Sequence, residues 1–421
     1  MSKYSYRATA FQQVDWALVQ AQAGAGRLVF AVDVAKHDFV GSVLDERRRV
    51  VLTVKWRHPQ QSRALVERVA SLGCVEAVLE PSGSYGDALR GLLREAGMSV
   101  YRVSAKRVHD AAEVYDGVPS LHDAKSAYVI GRLHLEGVSR VWEEPDARRR
   151  ALTARLRRLE MYQERGQRAY NRLEALVARH WPEATEILGL ESVSLLRLLS
   201  CYGAPAAVAA DAEAARELLQ RSGGRFLQAE KVEALVASAA TSVGVACIEA
   251  EAELISELAD ELLETRKACR ALEKSLARAV DEDAALGAQA QAVGHTTAVV
   301  LRSALGDAQA YGDAASYEKA AGLNLRERSS GKHQGKLKLT KRGPGVVRLY
   351  LYLAVLRQIS RPGPVREWYE AKVARDGGRV KAKAITALMR KLIRALWHVG
   401  QGQAFEPARM CTPRSSARAA A

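Results

Sequence analysis

Three strand-like runs follow one another before the first helical stretch, and from there helix and strand alternate. The runs span residues 28 to 33, 38 to 45 and 49 to 55; a helical pattern covers 59 to 72, a strand 75 to 80, a helix 86 to 97 and a strand 99 to 103. Consecutive strands favour antiparallel neighbours, and helical crossovers feed parallel ones, so this order predicts a mixed sheet flanked by helices. Two of the runs end in an acid: Asp33 closes Leu28 to Val32, and Glu80 closes Val75 to Leu79. Buried strands that end in carboxylates gather hard oxygen ligands at one edge of a sheet. A third acid, Asp123, opens a helical stretch that runs to Leu133. Any one of these acids is most simply a structural cap; their order and spacing give them weight as a set.

From about Glu144 the pattern is almost purely helical. Residues 146 to 180 carry Leu152, Leu156, Leu159, Leu173, Leu176 and Val177 among many Arg and Glu, as an amphipathic helix does. Over 248 to 280, Ile248, Ile255, Leu258, Leu262, Cys269, Leu272, Leu276 and Ala279 follow alternating three- and four-residue steps, interrupted at Glu251 and Thr265. That seam suits one helix of a bundle within the chain or a coiled coil between subunits. Short helices broken at Gly203-Ala-Pro205 and Gly223-Gly224 fill residues 181 to 245, to which no role attaches. Near Leu286 a last domain begins, where Ala292 to Ala298, containing Gly294, resembles half of a helix-hairpin-helix. The expected organisation is a leader over 1–26, an α/β domain over 27–143, a helical region over 144–285, a mostly helical domain over 286–405 and a tail over 406–421.

The charge balance points to a polyanionic partner. Lys plus Arg number 63 against 48 Asp plus Glu, a net charge of +15, which favours phosphate neutralisation. Five scattered cysteines without CxxC spacing indicate neither a disulfide framework nor a zinc site and fit a reducing compartment. With no signal-peptide core or long uncharged apolar run, a cytoplasmic, nucleoid-associated protein without membrane contact is expected. The most one-sided segment holds Arg326, Arg328, Lys332, Lys336, Lys338, Lys341, Arg342 and Arg348, with Glu327 its only acid. Glycines at 331, 335, 343 and 345 let backbone approach a phosphodiester there. Ser329 and Ser330 stand inside it; a serine beside glycine is ordinarily a turn residue.

These blocks, taken in order, resemble the insertion sequence 110 family of DEDD transposases, which includes the Piv-type DNA invertases. The matching blocks are Ala31 to Lys36, Leu79 to Tyr85, Asp116 to Ala127 and Ala321 to Lys332, running on through Leu339 to Gly343. The resemblance implies a RuvC-like, ribonuclease-H-like catalytic domain, a helical coiled-coil linker and a C-terminal transposase domain carrying a serine nucleophile. It places Asp33, Glu80 and Asp123 on the first three acids of a metal-binding tetrad and Ser126 on the fourth, three residues after Asp123, where the family has Asp. A hydroxyl ligates Mg²⁺ weakly and brings no charge. Three explanations stand for Ser126: an inactivating or engineered change, a variant that uses another acid such as Asp116 or Asp110, and a protein that binds without cutting.

The family nucleophile falls on Ser330, with Ser329 as the alternative. The implied reaction is site-specific recombination of donor and target DNA under guidance of a structured bridge RNA. Mg²⁺, with Mn²⁺ as the alternative ion, would be held by Asp33, Glu80 and Asp123, and a homodimer would assemble into a homotetramer. The rival readings are a catalytically silent nucleic-acid-binding protein and a resolvase that needs the acids but not Ser330.

Overall fold

The computed structural model describes residues 6–24, 26–81, 83–327, 335 and 337–411. The chain divides into two compact units, Met1–Glu144 and Pro145–Ala421.

The first unit is the expected mixed sheet with helices on its faces. Its elements are β1 Thr9–Ala10, α1 Trp16–Ala23, β2 Leu28–Asp33, β3 Asp38–Asp45, β4 Val50–Arg57, α2 Ser62–Ser71, β5 Glu76–Leu79, α3 Asp87–Glu95, β6 Ser99–Arg102, α4 Ala105–Asp110, α5 Asp123–Leu135 and β7 Arg140–Val141. The seven strands lie in the order β1-β4-β3-β2-β5-β6-β7. β2, β3 and β4 pair antiparallel as a meander, whereas β2 with β5 and β5 with β6 pair parallel. One core, containing Leu28, Phe30, Val32, Ala77 and Leu79, packs with α1, α2 and α3 residues; the opposite core contains Val29, Ala31, Val78 and the α5 residues Tyr128, Val129, Ile130 and Leu133. Cover on both faces explains why β2 reads as an unbroken apolar run.

Residues 6 to 24, expected as a leader, belong to this unit. β1 adds to the sheet edge beside β4, and Asp15 caps α1 by accepting from the amides of Ala17 and Leu18 at 3.1 Å. Val19 and Ala23 of α1 join the core with Leu28 and Phe30. A two-residue strand and one short helix leave too little periodicity to stand out from a leader.

The second unit is helical apart from one small ribbon. It comprises α6 Ala147–His180, α7 Pro182–Ile187, α8 Val193–Tyr202, α9 Pro205–Ala210, α10 Ala212–Gly223, α11 Ala229–Thr241, α12 Glu249–Asp281, α13 Ala284–Val293, α14 His295–Leu305, α15 Ala314–Ala320, β8 Leu325–Arg326, β9 Lys338–Leu339, α16 Gly345–Ile359, α17 Pro364–Arg375, α18 Lys381–Gly400 and α19 Pro407–Cys411. No described helix is long and apolar enough to cross a membrane.

The heptad seam of α12 is covered by α6 of the same chain. Leu152, Leu156 and Leu159 pack with Leu272, Leu276 and Ala279 at one end; Ala169, Leu173 and Val177 pack with Ile255, Leu258 and Leu262 at the other, so the two helices run antiparallel. Thr265, which interrupts the seam, is buried where Gly166 brings α6 close, and its hydroxyl donates to the Leu262 carbonyl at 3.1 Å. Ile248, the first seam position, is exposed. As a dimerisation element this seam is therefore unavailable over most of its length, because a period of 3.5 residues does not say whether the partner helix lies in the same chain.

Gly131 of α5 sets how closely that helix lies on the sheet: a Cβ there would meet Leu44 Cδ1 at 2.6 Å and Ala31 Cβ at 3.1 Å. Gly131→Val is expected to destabilise the protein by about 1–3 kcal/mol through overpacking, read by denaturant unfolding; an unchanged midpoint would contradict this packing.

Candidate active site

Side chains alternate along a strand, so each core assigns the residue that follows it. On β2, Val29 and Ala31 face α5, which puts Asp33 on the α5 side; on β5, Val78 faces α5, which puts Glu80 on the same side. The parallel register pairs Val32 with Leu79, so Asp33 and Glu80 are the next residues of two neighbouring strands at their C-terminal ends. That edge is where open α/β sheets place ligands. α5, docked over β2 and β3, starts with Asp123 in its first turn and presents Ser126 one turn later. Asp123 is exposed, Ser126 is buried, and Asp33 and Glu80 lie between these extremes.

The four residues interact. The Ser126 hydroxyl faces the Asp33 carboxylate and favours its charged form. Burial first, then the charge of Asp123, pushes Asp33 above the usual aspartate range, against the hydrogen bonds from Ser126 and the Val34 amide. Burial also raises Glu80, and the charge of Asp33 adds to it. None of Asp33, Glu80 and Asp123 is ion-paired among the described residues. Asp116 and Asp110, the alternative fourth acids, are engaged elsewhere. Asp116 accepts from the buried Lys125 ammonium at 2.9 Å and from the Val118 amide at 2.9 Å, and the Lys125 bond foremost holds it below the usual range. Asp110 pairs with Lys106 at 2.9 Å.

Carboxylate donors crowded together without a cation suit a hard divalent ion, and Asp33, Glu80 and Asp123 are the residues that would hold it. Their oxygens do not close on one point. Among the described residues, only His180, Cys247 and Glu251 form a set of at least three His, Cys, Asp or Glu ligands whose donor atoms all lie within 4.8 Å of one another. A wider acid set fits an ion that keeps several of its waters, as Mg²⁺ does.

The basic segment grows from a tight stem in the second unit. β8 and β9 pair antiparallel, which sets Arg326 opposite Lys338. The Thr340 amide donates to the Asn324 carbonyl at 2.9 Å, and the Lys341 amide to Gly322 at 3.0 Å. Gly322, at φ +70°, and Gly343 cross so closely that a Cβ on Gly343 would lie 2.3 Å from the Ala320 carbonyl oxygen. Arg326, Lys338, Lys341 and Arg342 are exposed. Arg348 has a different role from the expected one, because its guanidinium donates to the carbonyls of Ala321, Gly343 and Pro344 at 3.3, 2.8 and 3.4 Å. It fastens the stem. Arg328, Ser329, Ser330, Lys332 and Lys336 lie outside the described residues.

A cationic cleft in the second unit was not visible in the sequence. Arg270, Lys274 and Arg357, against one acid, Glu273, line it together with Thr296 and Thr297 at the Gly294 turn between α13 and α14. Arg357 donates to the Val293 carbonyl at 2.8 Å and to the Thr297 hydroxyl at 3.1 Å, which fixes the turn. Only the glycine turn left a sequence signal; the three cations come from two helices far apart in the chain.

Comparison with known families gives two matches. A family model for DEDD transposases of the IS110 type, described as Transposase, matches residues 30–182. A second, described as Transposase IS116/IS110/IS902 family, matches residues 288–370. No curated protein matches the chain. The first span contains Asp33, Glu80, Asp123 and Ser126, and the second contains the basic segment with both serines.

Because the carboxyl of Asp33 is raised in the folded protein, the native state holds that proton more tightly than the unfolded chain. The stability this gives is full at low pH and is lost as pH climbs from the ordinary aspartate value through the native one, so at neutral pH the ionised cluster opposes folding. Asp33→Asn should therefore raise the metal-free Tm at pH 7, by about 2–4 °C for each kcal/mol relieved, and remove stabilisation by added Mg²⁺. A thermal melt with and without Mg²⁺ reads both effects; a lower metal-free Tm would contradict the electrostatic reading.

Proposed function

We propose that this chain, which belongs to the IS110 family of transposases, recombines DNA for its insertion element through a metal-assisted centre on Asp33, Glu80 and Asp123 that serves Ser330 as nucleophile. The observation that carries the reading is the meeting of Asp33 with both other acids and Ser126 at one sheet edge, with no cation paired to Asp33 among the described residues. Bound there, Mg²⁺ or Mn²⁺ supplies Lewis-acid polarisation of the scissile phosphate and offsets charge on the attacking and leaving oxygens. Asp33, Glu80 and Asp123 would hold and orient the ion, with the Ser126 hydroxyl beside Asp33 favouring its charged form.

In the proposed reaction the Ser330 Oγ gives up its proton and bonds to phosphorus as one strand-end oxygen leaves and is protonated. The resulting phosphoserine keeps the energy of the broken diester, and attack by a new strand end releases the serine without ATP. Arg326, Lys338, Lys341 and Arg342, with Arg328, Lys332 and Lys336 of the same segment, neutralise backbone phosphates near the cut, and the cleft of Arg270, Lys274 and Arg357 offers a further phosphate contact. Donor and target DNA are the substrates, a bridge RNA is the guide, and dimers assembling into a tetramer let the acids of one subunit meet Ser330 of another. The three domain boundaries expected after residues 143, 285 and 405 belong to the same proposal.

Ser126 favours a second reading, a nucleic-acid-binding protein that does not cut, because a hydroxyl adds no charge to the metal site. Covalent trapping separates the two. The protein is incubated with its element's RNA, donor and target DNA and Mg²⁺ and scored for a denaturation-resistant protein–DNA species. The adduct is expected from the chain as it stands, with complete loss in Ser330→Ala and a gain at low Mg²⁺ in Ser126→Asp. An adduct that persists in Ser330→Ala overturns the nucleophile. Binding without any adduct, in the chain and in Ser126→Asp alike, establishes the second reading.

A further inference from the structure

The C-terminal end of α6 and the segment entering α12 bring together a nitrogen, a sulfur and an oxygen donor. His180 is the last residue of α6 and is buried, while Cys247 and Glu251 are half-buried. Their donor atoms all lie within 4.8 Å of one another. His180 Nε2 is buried without a hydrogen-bond partner, and it stands 3.7 Å from Glu251 Oε1. An orphaned ring nitrogen in a protein interior calls for an explanation.

The surroundings hold each donor ready. His180 Nδ1 lies 2.9 Å from the Val245 carbonyl oxygen, which can only accept, so Nδ1 carries a hydrogen and a neutral ring keeps its lone pair on Nε2. Histidines that ligate metals are oriented in this way. Glu251 uses its other oxygen, Oε2, to accept from the Ile248 amide at 3.2 Å, which leaves Oε1 directed at His180. Cys247 Sγ has only a weak contact, 3.6 Å to the carbonyl of Ile248. The segment itself is pinned: Glu183 accepts from the Ser242 hydroxyl at 2.7 Å and the Val243 amide at 2.9 Å, and the Val245 amide donates to the Arg179 carbonyl at 2.9 Å. Gly244 permits this approach, since a Cβ there would lie 2.1 Å from the His180 carbonyl oxygen. One cation already stands nearby, the largely exposed Arg179 at 3.9 Å from Glu251 Oε1.

From this geometry we infer a binding site for a borderline divalent transition metal of the zinc type, ligated by His180 Nε2, Cys247 Sγ and Glu251 Oε1, with water in the fourth position. Mixed nitrogen, sulfur and oxygen donors select such an ion over Mg²⁺. Ligands about 2.0–2.3 Å from a tetrahedral ion lie roughly 3.3–3.8 Å apart, and the His180 to Glu251 separation of 3.7 Å already falls there. Binding exchanges the Cys247 thiol proton for the metal–sulfur bond and releases that proton to solvent. The ion would clasp the end of α6 to the start of α12, separate from the acid cluster of the first unit in its ligands and in its chemistry.

The test is titration of the chelator-stripped, full-length protein with Co²⁺, followed by displacement with Zn²⁺. One equivalent of tetrahedral Co²⁺ per chain is expected from titration of the visible bands and a thiolate-to-cobalt charge-transfer band, and Zn²⁺ should abolish both and raise the Tm. Cys247→Ser should remove the charge-transfer band and weaken binding roughly 100-fold or more. His180→Gln should lose the tetrahedral bands while far-UV circular dichroism stays unchanged, and Cys201→Ser and Asp33→Asn should keep every band. No saturable binding, or bands that survive both Cys247→Ser and His180→Gln, overturns the site.

Discussion

The burial of Asp33 and Glu80 at one sheet edge, with the charge of Asp123 added to that of Asp33, is the constraint on which the acid site of the first unit turns. Parallel pairing of β2 with β5 brings two acids to adjacent strand ends, and the docking of α5 over those strands adds the third. A protein interior avoids uncompensated like charge unless a counter-charge is to arrive, so the arrangement costs stability that a bound cation returns. The burial of α5 against the sheet, through Gly131 and the apolar residues beside it, is what holds the acids together against that cost. Ser126 moderates the crowding, since its neutral hydroxyl favours the charged form of Asp33 where a fourth carboxylate would add another charge.

The first unit was largely legible in the sequence because its signals are periodic and local. Apolar runs ending in Asp33 and Glu80, three consecutive strands ahead of α2, and Asp123 at a helix start were each readable from a few residues, and the sheet follows from them. Convergence of the acids needed one more step, the parity of side chains along two parallel strands. What escaped was non-local or weakly periodic. The edge strand Thr9–Ala10 has no pattern of its own, and the partner of the α12 seam could not be read from the seam. Arg348 looked like one more cation in a basic run, yet three backbone carbonyls claim it, and counting charges does not reveal carbonyls. His180, Cys247 and Glu251 share no motif spacing, because they meet only when α6 and α12 pack antiparallel.

The two units divide the chemistry. The first gathers acids, hard oxygen donors among which burial raises the carboxyls of Asp33 and Glu80. The second gathers cations, on a ribbon stem whose glycines let backbone cross backbone and in a cleft beside the Gly294 turn. That division suits an enzyme of phosphodiesters, in which one surface neutralises the strand and another carries the ion that activates the bond. The two IS110 family matches agree with the division, since they fall on the acid-bearing and the cation-bearing parts.

The most direct test of the central claim, that the three acids hold the catalytic ion, is localised chain cleavage by iron. Fe²⁺ substitutes for Mg²⁺ at hard oxygen sites, and with ascorbate and peroxide it generates radicals that cut nearby backbone. The account predicts cuts clustered around Asp33, Glu80 and Asp123 that fade as Mg²⁺ is added. Cuts confined to other parts of the chain, or a pattern indifferent to Mg²⁺, would contradict it.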